Sequence, residues 1–281
     1  MHLSSRFRLF ICAAAAVAVP TLAAGTNDFA CTSTTHPNPV VLLHGLLANA
    51  EDSWTPFQQY LQDRGYCSFA TTYGASDILP FIGGPKPIED SAKEIAAYIR
   101  EVKEKTGAKI DLVGHSEGGF QSLYVPKFEE GISEMVDKIV AMAPPTNGTD
   151  NFGIYDLTFI LGDTSRELFG DVLDTVGCDA CNDLIIGGPA VEQLNDGTPI
   201  VQPGNVMTVI ATHFDEIVTP PEVAFVHEHG VTNEWVQDTC PQDSVGHISL
   251  IFDQNVWNLV TNALESTPDR EFTCVTDLLI I

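Results

Sequence analysis

The chain has 281 residues, a formal net charge of -25, and a composition that is 44% hydrophobic and 18% charged. So large an acidic excess excludes binding along a nucleic-acid backbone, where cations must neutralise phosphates. The length suits one α/β domain around a single core better than two independent halves, and no internal repeat or low-complexity linker divides it.

Residues 1–24 read as a secretory signal peptide: Arg6 and Arg8 precede an apolar run over 9–19, and Leu22-Ala23-Ala24-Gly25 offers a small-residue cleavage site. The rival reading is a membrane anchor. The run is too short to span a bilayer and no second long apolar stretch follows, so no transmembrane segment is expected. The remaining chain, 25–281, is expected to be exported, extracellular and monomeric, and losing Arg6 and Arg8 would leave it near -27.

The apolar run 39–43 reads as a buried strand, followed by the turn His44-Gly45-Leu46-Leu47 and an amphipathic helix over 53–64 that Gly65 ends. A second strand is expected at 68–73. The Gly- and Pro-rich loop 80–87 then leads into a helix over 88–105, with Ala92, Ile95, Ala96, Ile99 and Val102 on its buried face. Next comes a short apolar strand, 109–113, then Gly114-His115-Ser116-Glu117-Gly118-Gly119 and a helix over 120–128. Strands follow at 138–143 and 206–211, with a weaker one near 234–237, and a helix over 255–264 closes the chain. This alternation predicts a mostly parallel sheet with helices on both faces.

Residues 144–204 break the rhythm with about 60 residues where a short connection would suffice. They are expected to hold a helical lid. The apolar spacing over 154–176 fits either ordinary core packing or an acyl-binding wall.

The pattern G-x-S-x-G between an apolar strand and a helix is the signature of a nucleophile elbow. A serine on so sharp a turn adopts a strained backbone conformation, and glycines two residues to either side leave room for it. Its hydroxyl is a poor nucleophile near neutrality, so Ser116 needs an imidazole base and a carboxylate to orient that base. In this fold the order along the chain is serine, acid, histidine. Asp215, just after the strand 206–211, is the expected acid, with Glu216 as its rival one position on. His247 is the expected base, in preference to His213, His227 and His229, because it alone follows the last strand. Two backbone N–H groups must bind the developing oxyanion, and Leu46 and Glu117 occupy the positions for them. Metal-dependent hydrolysis is not expected, since no H-E-x-x-H pattern or clustered ligand spacing occurs, and no cofactor is expected.

Cys12 lies in the leader, leaving Cys31, Cys67, Cys178, Cys181, Cys240 and Cys274, an even number that implies disulfides in an exported chain. Fifteen pairings are open. Cys178-x-x-Cys181 fits a redox or zinc pair, or a small closed disulfide loop, and the loop is the expected form. Asn147-Gly148-Thr149 is an acceptable N-glycosylation sequon.

These segments together resemble the secreted class 2 lipases and esterases of actinobacterial and fungal type, within the α/β-hydrolase superfamily. The resemblance rests on Pro39-Val40-Val41-Leu42-Leu43-His44-Gly45, Gly65-Tyr66-Cys67, Asp111-Leu112-Val113-Gly114-His115-Ser116, Asp215-Glu216-Ile217-Val218-Thr219-Pro220 and Cys240-Pro241. It implies an α/β-hydrolase domain over 25–281, a triad of Ser116, Asp215 and His247, and lipid or other ester substrates with transient contact at a lipid interface. It also implies the pairings Cys31–Cys67, Cys178–Cys181 and Cys240–Cys274. The chain departs from the resemblance at Glu117, where relatives commonly carry a neutral or basic residue. A carboxylate facing a developing oxyanion should disfavour it, so the side chain is expected to turn to solvent or to be held partly protonated. The same machinery also serves polyester hydrolysis and acyl transfer, and a noncatalytic binding protein could retain the fold.

Overall fold

The structure is a computed structural model, and it describes residues 26–150 and 177–275. The segment 1–24 read as a signal peptide, the apolar segment 154–176 of the expected lid, and the last six residues lie outside them. Six strands, β1 (Val40–Leu43), β2 (Ser68–Ala70), β3 (Ile110–His115), β4 (Val136–Met142), β5 (Val206–Ala211) and β6 (Val231–Trp235), form one sheet in the order β2-β1-β3-β4-β5-β6. All five pairings are parallel.

Residues of β1 alternate between two cores: Val41 and Leu43 join one apolar cluster, Val40 and Leu42 the other. On the first face pack α2 (Ile88–Thr106), through Ile95, Ile99 and Val102, and α3 (Glu117–Phe128), through Phe120 and Leu123. On the second face pack α1 (Ala50–Asp63), through Trp54, Phe57 and Leu61, and the C-terminal helix Gln254–Leu264, through Val256, Leu259 and Val260. A sheet covered on both faces explains why its strands read as continuous apolar runs.

The helices begin and end where their chemistry allows. Asn49 caps α1, its Oδ1 accepting the Asp52 N–H at 2.9 Å, so the helix starts at Ala50, three residues before the 53 that the sequence predicts. α2 carries Glu89 and Asp90 in its first turn and Lys103 and Lys105 in its last, and it stops at Gly107 with φ 72. Asp253 caps the last helix by accepting from the N–H groups of Asn255 and Val256.

β2 ends at Ala70, earlier than the predicted 73, because Thr72 and Tyr73 leave the ladder for other partners. The Thr72 hydroxyl accepts the Ala50 N–H, and the Tyr73 hydroxyl donates to the His44 carbonyl at 2.6 Å. β6 spans Val231–Trp235, and the predicted 234–237 straddles its end and the short helix that follows, Val236–Thr239.

The described part of the 144–204 insertion is fastened to the body. The short helix Asp179–Asp183 meets the start of α2, where Asp183 Oδ2 accepts the Ile88 N–H at 2.9 Å. Further on, Lys127 of α3 donates to the Leu194 and Thr198 carbonyls and to Asp196. Cysteines pair as 31–67, 178–181 and 240–274. The Asn147 side-chain nitrogen donates to the carbonyls of Val223 and Phe225, and the Thr149 hydroxyl to that of Ile217, so the folded sequon is engaged internally.

Candidate active site

The chain reverses its direction across the sheet between β1 and β3, since β2 lies beyond β1 on one side and β4 to β6 lie beyond β3 on the other. In open α/β sheets the crevice outside the carboxyl ends of strands at such a switch point is where ligands bind. Ser116 follows β3 there, and the His44-Gly45-Leu46-Leu47 turn follows β1.

Ser116 has φ 56 and ψ -121, a left-handed backbone conformation that costs a non-glycine residue roughly 1–3 kcal/mol. The surrounding glycines make the turn feasible. A Cβ on Gly114 would lie 2.0 Å from the Gly118 carbonyl oxygen, one on Gly118 would lie 2.1 Å from that of Leu43, and one on Gly45 would lie 3.3 Å from the Ser116 Cβ. The Ser116 N–H donates to the Met142 carbonyl at 2.9 Å, which ties the elbow to β4. Its side chain is half-buried, at the edge of solvent.

His247 and Asp215 meet: His247 Nδ1 lies 2.8 Å from Asp215 Oδ2, and both side chains are buried. Asp215 Oδ1 accepts the N–H groups of Ile217 and Val218, which fixes the carboxylate's plane. An Nδ1–H donated to this carboxylate leaves Nε2 with its lone pair, and Nε2 is buried with no hydrogen-bond partner. The His247 ring lies 4.8 Å from that of His115, the neighbour of Ser116.

Glu216 does different work from Asp215. Its Oε2 accepts the His247 backbone N–H at 2.9 Å, and a Cβ on Gly246 would come within 2.7 Å of the same oxygen. His213 is exposed and stacks on Trp235, while His227 and His229 are exposed at the start of β6, the opposite end of the sheet from Ser116. A surface cavity of about 670 Å³ lies at that opposite end too, lined by Asn195, residues 197–205, Glu228 and His229.

Two further histidines belong to the site's frame. His115 donates from Nε2 to the His247 carbonyl at 2.9 Å, and burial, followed by the proximity of His247, holds its pKa well below the usual imidazole range. His44 donates from Nδ1 to the Gly45 carbonyl and accepts the Tyr73 N–H at Nε2, so its neutral tautomer is fixed, and burial lowers its pKa to about 4. The second position of the elbow motif was the available sequence signal for His115, and adjacency to Asp215 was that for Glu216.

Glu117 contradicts one of the two expectations for it. The side chain does not turn to solvent: it is fully buried at the first position of α3, and neither carboxyl oxygen has a hydrogen-bond partner. The physical reason is the helix itself, which directs this position back beneath the Leu46 turn. Burial, and then the charge of Asp183, push its carboxyl well above the usual range. Leu46 is buried at the mouth of the same turn, and Leu47 takes φ 58. Among the described residues no group of three or more His, Cys, Asp or Glu could hold a metal ion.

A family model described as Lipase (class 2) matches residues 37–145. Curated relatives named triacylglycerol lipase, from Pseudarthrobacter phenanthrenivorans and Burkholderia plantarii, are each 31% identical over 121 residues, which is 40% of this chain. The match spans 34% and 30% of those relatives' own length, about a third. Among solved structures, Aspergillus fumigatus lipase B superposes with a TM-score of 0.61 at 16% identity, over 81% of this chain and 52% of that one. The mature form of Bacillus licheniformis lipase BlEst2 gives 0.58 at 17%, over 83% and 93%. At such identities the likeness to the solved structures is one of fold, and that fold is the α/β-hydrolase.

Proposed function

We propose, starting from a chain whose residues 37–145 match the class 2 lipase family and whose sheet is that of the α/β-hydrolase fold, that it cleaves carboxylic esters through an acyl-enzyme on Ser116. The carrying observation is the 2.8 Å contact of His247 Nδ1 with Asp215 Oδ2, which leaves a partnerless Nε2 beside the strained serine turn.

In this reading the Ser116 Oγ attacks the ester carbonyl while His247 Nε2 takes its proton. The tetrahedral oxyanion is held by the backbone N–H groups of Leu46 and Glu117. On collapse the imidazolium gives the proton to the departing alcohol, leaving the acyl group on Ser116. Water, deprotonated by the same imidazole, then releases the acid and restores the serine. Asp215 keeps Nδ1 protonated and stabilises the imidazolium.

The favoured substrates are lipid esters met at an interface, with the chain acting as an exported monomer after loss of residues 1–24. Three disulfides support export, and no helix among the described residues is long and apolar enough to cross a membrane. Since residues 177–204 are bound to the body, the lid reading of 144–204 rests on its earlier portion.

Initial rates on p-nitrophenyl esters from acetate to palmitate test the substrate. Activity extending to long chains is expected, and a steep preference for acetate would make the chain an esterase instead. Ser116→Ala should remove hydrolysis of every ester in the series. If the parent cleaves none of them, a noncatalytic binding protein becomes the better reading.

A further inference from the structure

Glu117 is the one buried carboxyl of the site with no bonding partner, and its surroundings assign it work. Its Oε2 lies 2.3 Å from where a Cβ on Gly84 would stand, and that same point is 3.1 Å from the Leu46 Cα. Gly84, at φ 92, is therefore the residue that makes room for the carboxyl, and the carboxyl sits against the turn that presents the Leu46 amide. Its own amide is the second proposed oxyanion donor. One side chain thus backs both donors at once.

We propose that Glu117 is a positioning residue: a neutral carboxylic acid walled in beneath the two oxyanion-donor amides, whose ionisation in alkaline solution shuts hydrolysis off. The inference rests on the serine-hydrolase reading above. Among the described residues, every element packed around the carboxyl leaves it without a cation. From the turn after β1 comes His44, fixed neutral by its bonds to the Gly45 carbonyl and the Tyr73 N–H. From the loop after β2 comes Tyr73, whose hydroxyl is committed to the His44 carbonyl, and beyond it Lys86, which pairs with Glu94.

α2 offers Ser91, a buried hydroxyl with no partner, lying against Gly74, which itself touches Gly84. α3 offers Gln121, one turn on, whose Nε2 donates to the Ile88 carbonyl while its Oε1 is unpartnered. The helix Asp179–Asp183 offers Asp183, and that carboxylate's charge makes a second negative charge harder to form. The N-terminus of α3 favours an anion, yet that stabilisation is smaller than the cost of stripping a carboxylate of water and of every partner.

An ionised Glu117 would oppose the oxyanion through the donors that hold it, and would draw its neighbours toward new solvation. Neutral, it fills the space behind both amides and leaves their field intact.

The test compares kcat/KM of the parent with that of Glu117→Gln from about pH 6 to about pH 10, corrected for spontaneous hydrolysis, because glutamine keeps the shape and cannot ionise. The ratio of variant to parent is expected to climb about tenfold per pH unit once Glu117 ionises in the parent. A ratio constant across the range overturns the proposal.

A second measurement needs neither turnover nor the variant's folding. In parent protein carrying ¹³C-labelled glutamate, one side-chain carboxyl should remain protonated at neutral pH. Finding all of them ionised overturns the proposal equally. Failure of the underlying reading would show elsewhere, as ester hydrolysis that survives Ser116→Ala.

Discussion

Two adjacent carboxylates, Asp215 and Glu216, divide the support of His247 between them. Asp215 holds the ring at Nδ1, and Glu216 holds the backbone N–H of the same residue. On the proposed mechanism their substitutions should separate cleanly. Asp215→Asn presents an amide where the imidazole needs an acceptor, and should lower kcat by about 10³ to 10⁴-fold with KM little changed. Glu216→Gln keeps an oxygen for the His247 N–H and should cost less than about tenfold. Steady-state kinetics of the two variants settle the assignment, and a larger loss at Glu216 would reverse it. The sequence placed both residues at the end of one strand. It could not rank them by contact, since their roles depend on how a loop about 30 residues away folds back. The same holds for His115, whose partner is the His247 carbonyl. The sequence marks Glu117 as anomalous, but its burial follows from helix geometry and from Gly84, neither of which the elbow motif encodes.

At the scale of elements, the elbow is a close approach of three backbones, and its glycines carry the steric load. Gly118→Ala would bring a methyl within 2.1 Å of the Leu43 carbonyl oxygen, an overlap that no rotamer relieves. The helix would have to move off β1, which should destabilise the fold by about 3 kcal/mol or more. Gly107→Ala is the contrasting case: nothing lies within 4 Å, so only its positive φ opposes the change, at about 1 kcal/mol. Urea denaturation of both variants tests the ranking, and equal losses would contradict it. Most elements were legible in the chain because buried parallel strands are short apolar runs with sharp ends, and Val206–Ala211 coincides with its run to the residue. The differences arose where side chains compete with regular structure. The Asn49 cap starts α1 early, and the pull of Tyr73 toward His44 ends β2 soon after it begins.

Over the whole molecule, the sheet brings residues far apart in the chain to one edge, and the disulfides fasten the segments that flank it. Cys31–Cys67 ties the N-terminal stretch to the start of β2, and Cys240–Cys274 ties the loop after β6 to the C-terminal stretch, closing loops of 36 and 34 residues. By loop-closure entropy each should contribute about 4 kcal/mol, against about 2 kcal/mol for Cys178–Cys181 with its separation of 3. Paired Cys→Ser variants followed by thermal unfolding should therefore show the 178–181 pair as the mildest loss. The pairing itself was not readable from spacing, since fifteen arrangements satisfy six cysteines; it came with the family resemblance. Glu117 adds a pH dependence to the stability of the whole. A carboxyl raised in the folded state contributes fully below its ordinary value of 4.5, and that contribution is lost as pH rises. Glu117→Gln should thus gain stability relative to the parent as pH rises above 4.5, which urea denaturation of both at a series of pH values would show.

Intact-mass analysis after incubation with a fluorophosphonate reads directly whether Ser116 is an activated nucleophile. The parent should gain a single phosphonyl adduct mapped to Ser116, slowly formed in His247→Ala and absent in Ser116→Ala. An unmodified parent, or an adduct that persists in Ser116→Ala, would contradict that role.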